Sequence, residues 1–223
     1  MDFGKIAILT TQRSAFDPFS SKLEKKLIEK EYLTKVFYNH KEISSEYDVV
    51  FILSYERIIT QEYLSRHKHN IVVHGSDLPK GKGWSPIFWQ ILEGKNRIPI
   101  VLFEAIPDLD AGKIYFKDYI NFEGHEINEE IRRAQSEKCI EMCLKFLDKY
   151  NYLEPCSQEG ESTFYKKRTP KDSEIDIRKT ILDNFNLLRI VNNDQYPAFF
   201  YHSGHKYILK IYKEDKEEID GNL

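Results

Sequence analysis

HGSDLPKGKGWSP, residues 74–86, is the stretch on which the reading of this chain turns. In front of it stands NIVV (70–73), a compact apolar run that reads as a strand. Behind it Ser85-Pro86 opens a capped helix, with Ile87 and Ile91 on one side and Gly94 just past its end. Open parallel sheets bind ligands at the carboxyl ends of their strands, where loops and backbone groups converge. His74, the first residue out of such a strand, is placed for proton transfer; a structural hydrogen bond is the alternative reading. Gly75, Gly81 and Gly83 let the backbone turn tightly and approach a ligand closely. Lys80 and Lys82 can attract an anion, but their spacing is not the phosphate-loop pattern, which needs two glycines five apart followed by Lys and Ser or Thr. Trp84 reads as a packing residue first and a ligand platform second.

Outward from this segment, strands and helices alternate. KIAILT (5–10), TKVFY (34–38), VVFIL (49–53) and IPIVLF (98–103) read as further strands, and KIYF (113–116) as a short edge strand. Asp17-Pro18 starts a helix whose Phe19, Leu23 and Leu27 form an apolar stripe, and a short helix fits between Thr60 and His69. The alternation predicts an α/β fold with a largely parallel sheet. From about Glu126 the pattern changes. Ile127, Ile131, Ala134, Ile140, Cys143, Leu144 and Leu147 predict a helix of about 20 residues. Residues 151–171 read as an irregular connection. Ile177, Ile181, Phe185 and Leu188 predict another helix, with Ser173 near its start. PAFFY and KYILKIY around HSGH predict a hairpin, and KEDKEEIDGNL (213–223) a solvated tail. The expected division is a catalytic α/β domain over 1–150 and a C-terminal extension over 151–223.

Composition narrows the functional classes. The 223 residues carry 33 Lys plus Arg and 36 Asp plus Glu, a net charge of −3, which argues against bulk nucleic-acid binding. Apolar residues make up 41%, enough for a packed core, and the longest apolar runs are about five residues, too short for a membrane span. No apolar stretch with a cleavage site opens the chain, so a cytoplasmic protein is expected. Three cysteines do not make a disulfide framework; Cys139 and Cys143, four apart in a helical pattern, read as buried thiols. No ligand cluster suggests a metal.

A second informative segment, IPDLDAGKIYF (106–116), follows the fifth strand. Asp108 and Asp110 sit in a turn that Gly112 permits. A loop carboxylate is inert by default, but beside a catalytic His it can orient the imidazole and stabilise its charged form.

Together, His74 with SDLPKGKGWSP and LDAGKI with Asp110 resemble the formyltransferases that use 10-formyltetrahydrofolate, the sugar-nucleotide N-formyltransferases most of all. The order strand, His, Leu-Pro loop, helix, strand, Asp-x-Gly matches over about residues 1–120. The run Arg168, Pro170, Asp172, Ser173, Glu174, Ile175 and Asp176, followed by a Tyr-Pro hairpin, is similar to the region after the catalytic domain in the sugar enzymes; its plain reading is a capped helix start. The resemblance implies a Rossmann-like, mostly parallel sheet with flanking helices, plus a short C-terminal helix and β-hairpin. It also implies an enzyme that moves a formyl group from 10-formyltetrahydrofolate to an amino sugar carried on a nucleotide, for surface glycan synthesis. Formyl transfer to another small amine, hydrolysis of the formyl-folate, and a weakened folate-binding protein are the alternatives.

The resemblance assigns roles residue by residue. His74 would move the protons and Asp110 would hold it. The family usually has Asn two residues before the His; here that position is Val72, so Asn70, Asn39 or a backbone N–H would supply the oxyanion donor. The pterin would lie between the loop after the third strand (Tyr55, Arg57, Ile58, Ile59) and the turn before the Asp (Glu104, Ile106, Asp108). Ser76, Lys80, Lys82 and Trp84, with Tyr165 and Arg168 of a basic-aromatic patch, are the candidates for the acceptor and its diphosphate. No nucleic acid and no membrane are expected as partners, and the exposed hairpin edge can pair across a homodimer.

Overall fold

The computed structural model describes residues 3–214, so most of the expected solvated tail lies outside the described residues. In chain order the elements are β1 (Lys5–Leu9), α1 (Asp17–Glu29), β2 (Leu33–Phe37), β3 (Val49–Ile52), α2 (Gln61–Leu64), β4 (His69–His74), β5 (Lys82–Gly83) and α3 (Pro86–Leu92). They continue with β6 (Arg97–Glu104), β7 (Ile114–Asn121), α4 (Asn128–Lys149), β8 (Phe164–Tyr165), α5 (Phe185–Ile190), β9 (Ala198–His202) and β10 (His205–Leu209).

Six strands form the central sheet in the order β2-β1-β3-β4-β6-β7. The first four pair in parallel, as the alternating pattern predicts. β6 and β7 run antiparallel to their neighbours. The reason lies in α3. A seven-residue helix spans about 10 Å, while the six residues of β4 span about 20 Å. Residues 75–85 curl back over the end of β4 instead of running down the sheet, and α3 alone is too short for the return, so β6 enters from the end at which β4 left. β7 is longer than the expected KIYF strand because KDYIN, charged and polar on one side, continues the edge; charges suit an edge strand.

Strand alternation gives the sheet two dry faces. In β1, Ile6 and Ile8 join a large cluster with Leu23 and Leu27 of α1, Ile87 and Ile91 of α3, and Ile140, Cys143 and Phe146 of α4. Ala7 and Leu9 point the other way, into a smaller cluster with Val50, Ile52, Tyr63 and Leu64. Both faces of the inner strands are therefore apolar, which is why they read as unbroken apolar runs. α4 starts with Glu130 accepting from the Ile127 N–H at 2.9 Å, and Glu129 and Glu130 sit favourably in its first turn.

Two local expectations are corrected. Ser85 does not cap α3 through its side chain; it takes a left-handed conformation at φ 49. The helix expected over 177–188 is α5 alone. A single turn at Pro170–Ser173 ends far short of it, and Ile181 and Leu182 stay exposed, so the apolar spacing that suggested a helix has no surface to bury against. α5 is instead held by Arg189. This fully buried guanidinium donates to the Glu126 carbonyl and to Asn96 Oδ1 and pairs with the Glu126 carboxylate at 3.4 Å. The hairpin β9–β10 forms as expected.

Burial pushes the Cys139 thiol up to about 12, and Cys143 also rises well above its ordinary value. Cys156 is exposed. A native-state thiol titration is therefore expected to show one fast thiol, rising to three in denaturant; two or more fast native thiols would show that α4 does not bury this face. Phe146, fully buried and ringed by Phe3, Phe51, His69, Tyr115 and Tyr150, should cost about 3–5 kcal/mol on truncation to Ala, measured by denaturant unfolding.

Candidate active site

His74 ends β4 and is buried. Its Nε2 lies 2.9 Å from the carbonyl oxygen of Gly81. A carbonyl only accepts, so Nε2 carries the hydrogen and, in the neutral ring, Nδ1 holds the lone pair. The loop from Gly75 to Ser85 makes this contact possible by curling back over the strand end. Its Leu78-Pro79 peptide bond is cis. Gln90 of α3 ties its start, donating from Nε2 to the Gly75 carbonyl at 2.7 Å.

Asp110 reaches the same place from the loop between β6 and β7. Its Oδ2 stands 3.9 Å from His74 Nε2 and accepts the Gly83 N–H at 2.8 Å. The first distance is too long for a hydrogen bond. Asp110 therefore acts on the imidazole through its charge, while its own position is fixed by the glycine loop. Asp110 is itself left-handed, at φ 47, in a turn that folds tightly against β6. Only a glycine fits at 112, because a Cβ there would lie 1.6 Å from the Glu104 carbonyl oxygen.

Residues 156–165 strap both loops down. Thr163 Oγ1 accepts the Gly81 N–H at 2.8 Å, and β8 pairs with β5. Gln158 Nε2 donates to the carbonyls of Asp110 and Gly112, each at 2.9 Å, and Cys156 bridges Ile114. Nothing in the local sequence of this stretch signals the contacts. They join positions 82 and 48 residues apart, so only the fold reveals them.

The remaining sequence candidates separate into three groups. Ser76, Lys80 and Tyr165 line a groove of 550 Å³ beside the loop, together with Gly81, Glu93 and Tyr119. Ser76 Oγ is buried there without a partner among the described residues. Tyr165 stacks on Trp89 and donates from its hydroxyl to Glu93 at 2.7 Å; burial, then the Glu93 carboxylate, push that hydroxyl above its ordinary value. A second group, Tyr55, Ile59 and Ala105, packs beside Val72 against one core cluster, bringing the loops after β3 and β6 to either side of β4. Ile58, Ile106 and Leu109 stand out from these two loops, 87%, 41% and 58% exposed. Arg57 and Asp108 are exposed on the same loops. Tyr55 donates or accepts with His40 Nδ1 at 2.7 Å, and burial, then Lys41 and Arg57, lower that imidazole below its ordinary value.

The third group is placed elsewhere. Asn70 does not meet His74. It lies four strand residues away, about 13 Å, and its amide donates to the Leu64 carbonyl at 2.8 Å. Glu104 is spent inside the fold, accepting from the Asn70 N–H and from Tyr115 and facing His69. Arg168 is half-buried and donates to the Asp172 carbonyl and Ser173 Oγ, so its guanidinium knits the extension together. Lys82 is buried and sits over the Phe164 ring, and Trp84 lies under the Lys167 ammonium, which also pairs with Glu56. Lys82, Trp84 and Arg168 are not on the groove wall. Val72 is half-buried and packs against Leu78, Val101 and Phe103, so the floor beside His74 is apolar.

The arrangement can exchange a proton at Nδ1 and stabilise the resulting imidazolium with a carboxylate nearby. Among the described residues no three His, Cys, Asp or Glu side chains gather as a metal site, and no helix is long and apolar enough to cross a membrane.

The family model described as formyl transferase matches residues 6–145. A methionyl-tRNA formyltransferase from Mycoplasma capricolum is 31% identical over 65% of this chain and 47% of that protein, so the chain spans about half the length of that relative. The methionyl-tRNA formyltransferase structure from Clostridium thermocellum superposes with a TM-score of 0.77, at 24% identity, over 95% of this chain and 94% of that one. A sugar N-formyltransferase from Shewanella sp FDAARGOS_354 superposes with a TM-score of 0.70, at 14% identity, over 96% of this chain and 99% of that one. The two superpositions establish a shared fold.

Gly112→Ala tests the loop packing. Overpacking of about 1–3 kcal/mol should lower Tm by roughly 2–12 °C. An unchanged melting curve would show that the Asp110 loop does not rest on Glu104.

Proposed function

The chain belongs to the formyl transferase family, and on that premise we propose that it moves a formyl group from 10-formyltetrahydrofolate to the amine of an amino sugar carried on a nucleotide. The observation that carries the reading is the convergence of His74 and Asp110, 36 residues apart in sequence, with their facing atoms 3.9 Å apart beside a groove. In this reading residues 1–150 perform the chemistry and residues 151–223 complete the site.

The residues present suit the donor. Ile58, Ile106 and Leu109 leave large apolar surfaces in water on the two loops that flank Val72, and a flat heterocycle laid between them would cover those surfaces. When bound, the donor supplies an electrophilic formyl carbon. His74 Nδ1 takes the proton that the attacking amine must lose, and the imidazolium so formed faces the charge that develops on the formyl oxygen. Asp110 stabilises that imidazolium, and Gly81 keeps the ring from turning. The proton is then returned to the leaving nitrogen. With Val72 apolar and Asn70 remote, the imidazolium is the donor that this site offers the oxyanion.

For the acceptor, the groove beside Gly81 carries polar walls (Ser76, Lys80, Glu93, Tyr119 and Tyr165) suited to a hydroxylated, phosphate-bearing small molecule. A net charge of −3 disfavours a polyanion the size of tRNA. The second reading, transfer to an aminoacyl-tRNA, draws on the named methionyl-tRNA formyltransferases among the relatives.

The test is to supply 10-formyltetrahydrofolate with nucleotide-linked amino sugars, simple amines, methionyl-tRNA or no acceptor, and to follow tetrahydrofolate release. Release confined to the sugars supports the proposal. Release with methionyl-tRNA moves the acceptor, release without acceptor makes the protein a hydrolase, and tight folate binding without turnover makes it a binder. With the active acceptor, His74→Ala and Asp110→Asn should each lower kcat by about 10²–10⁴ with unchanged circular dichroism. Wild-type rates in either would remove that residue from the mechanism.

A further inference from the structure

We infer that Gln158, which lies outside the stretch matched by the family model, is a positioning residue that sets the carboxylate of Asp110 toward His74. Asp110 is a non-glycine residue in the left-handed region, a conformation that persists only where its surroundings over-determine it. Two anchors do so. Gly83 holds the carboxylate by its N–H, and Gln158 holds the backbone by both sides of the turn, through the carbonyls of Asp110 and Gly112. Both partners are acceptors, so the amide nitrogen of Gln158 must face them and its orientation has no ambiguity. The amide oxygen is left buried without a partner among the described residues. A side chain kept in place despite an orphaned oxygen is held for its two donated bonds.

The geometry explains why a glutamine is needed. Asp110 and Gly112 are two residues apart and present their carbonyls to the same side. One NH₂ group can satisfy both at once, whereas a hydroxyl, with one hydrogen, cannot. Loss of the clamp frees the turn to leave the left-handed conformation and carry the carboxylate away from Nε2. Gln158 touches neither His74 nor the groove, so its effect passes through Asp110.

The kinetic arm of the test rests on the formyl-transfer reading; the spectroscopic arm does not. Gln158→Met keeps the length and loses the donors; Gln158→Glu keeps the shape and, ionised, loses them too. Each should lower kcat about 10- to 100-fold, the scale of a small misplacement of a reacting group, while KM for donor and acceptor changes less. In an Asp110→Asn background Gln158→Met should add little, because the two act as one unit. Independently of turnover, the ring resonances of His74 in selectively labelled protein, assigned by their loss in His74→Gln, should move in Gln158→Met in the direction they move in Asp110→Asn. Wild-type kcat in both Gln158 variants, or unmoved His74 signals, overturns the inference. So do losses that multiply with Asp110→Asn. If the wild type turns over no acceptor, the formyl-transfer reading fails while the His74 resonances still decide the role of Gln158.

Discussion

The imidazole of His74 has a single hydrogen in its neutral form, and the Gly81 carbonyl takes it. That bond decides which nitrogen is basic and which way the ring faces, so the chemistry proposed for this site depends on where one backbone carbonyl sits. Gly81 is in turn placed by what happens on its other side, where its N–H meets Thr163 and its own φ of 76 excludes most other residues. A Cβ at Gly81 would also come within 2.9 Å of Tyr165. The loop from Gly75 to Ser85 is therefore a sandwich, with a strand end below and a strap above.

The sheet supplies the rigidity behind this. Both faces of the inner strands are packed, by a large helical layer on one side and a smaller cluster on the other. A strand dry on both faces cannot slip by a residue without turning its side chains into the wrong layer. His74 is therefore fixed in height relative to Val101, its partner on β6, and the turn that carries Asp110 grows from the far end of that same strand. Antiparallel β6 ends opposite Ile71, so the turn beyond it folds back along the sheet to bring Asp110 to His74.

The strap ties the C-terminal extension to the proposed chemistry. Residues 156–165 hold Gly81 through Thr163 and the Asp110 turn through Gln158. Lys167 reaches the loop after β3 through Glu56, and Arg168 secures the strap to the turn at Pro170–Ser173. Charge in this stretch, which the sequence presented as a ligand patch, is largely neutralised within the protein: Lys166 pairs with Asp172 at 2.6 Å and Lys167 with Glu56. Burial alone would raise the Asp172 carboxyl, but Lys166 and Thr169 bring it down to about 2.

What the sequence determined by itself was the set of elements and the pair of loops. The short apolar runs of β1, β3 and β4 read as strands, and the long stripe ending at Leu147 reads as α4, because burial period is a local property of the chain. His74 was legible as a polar residue at a strand end, but only the resemblance to the formyltransferases joined it to Asp110, a loop carboxylate that the residues by themselves left inert. The tertiary structure alone decided the direction of β6, the displacement of Asn70 to the Leu64 carbonyl, the use of Glu104 and Arg168 as internal anchors, and the clamps from Thr163 and Gln158. Each of these depends on which distant segment comes to lie against a side chain, and a hydrogen bond joining positions tens of residues apart leaves no period or spacing in the sequence to read.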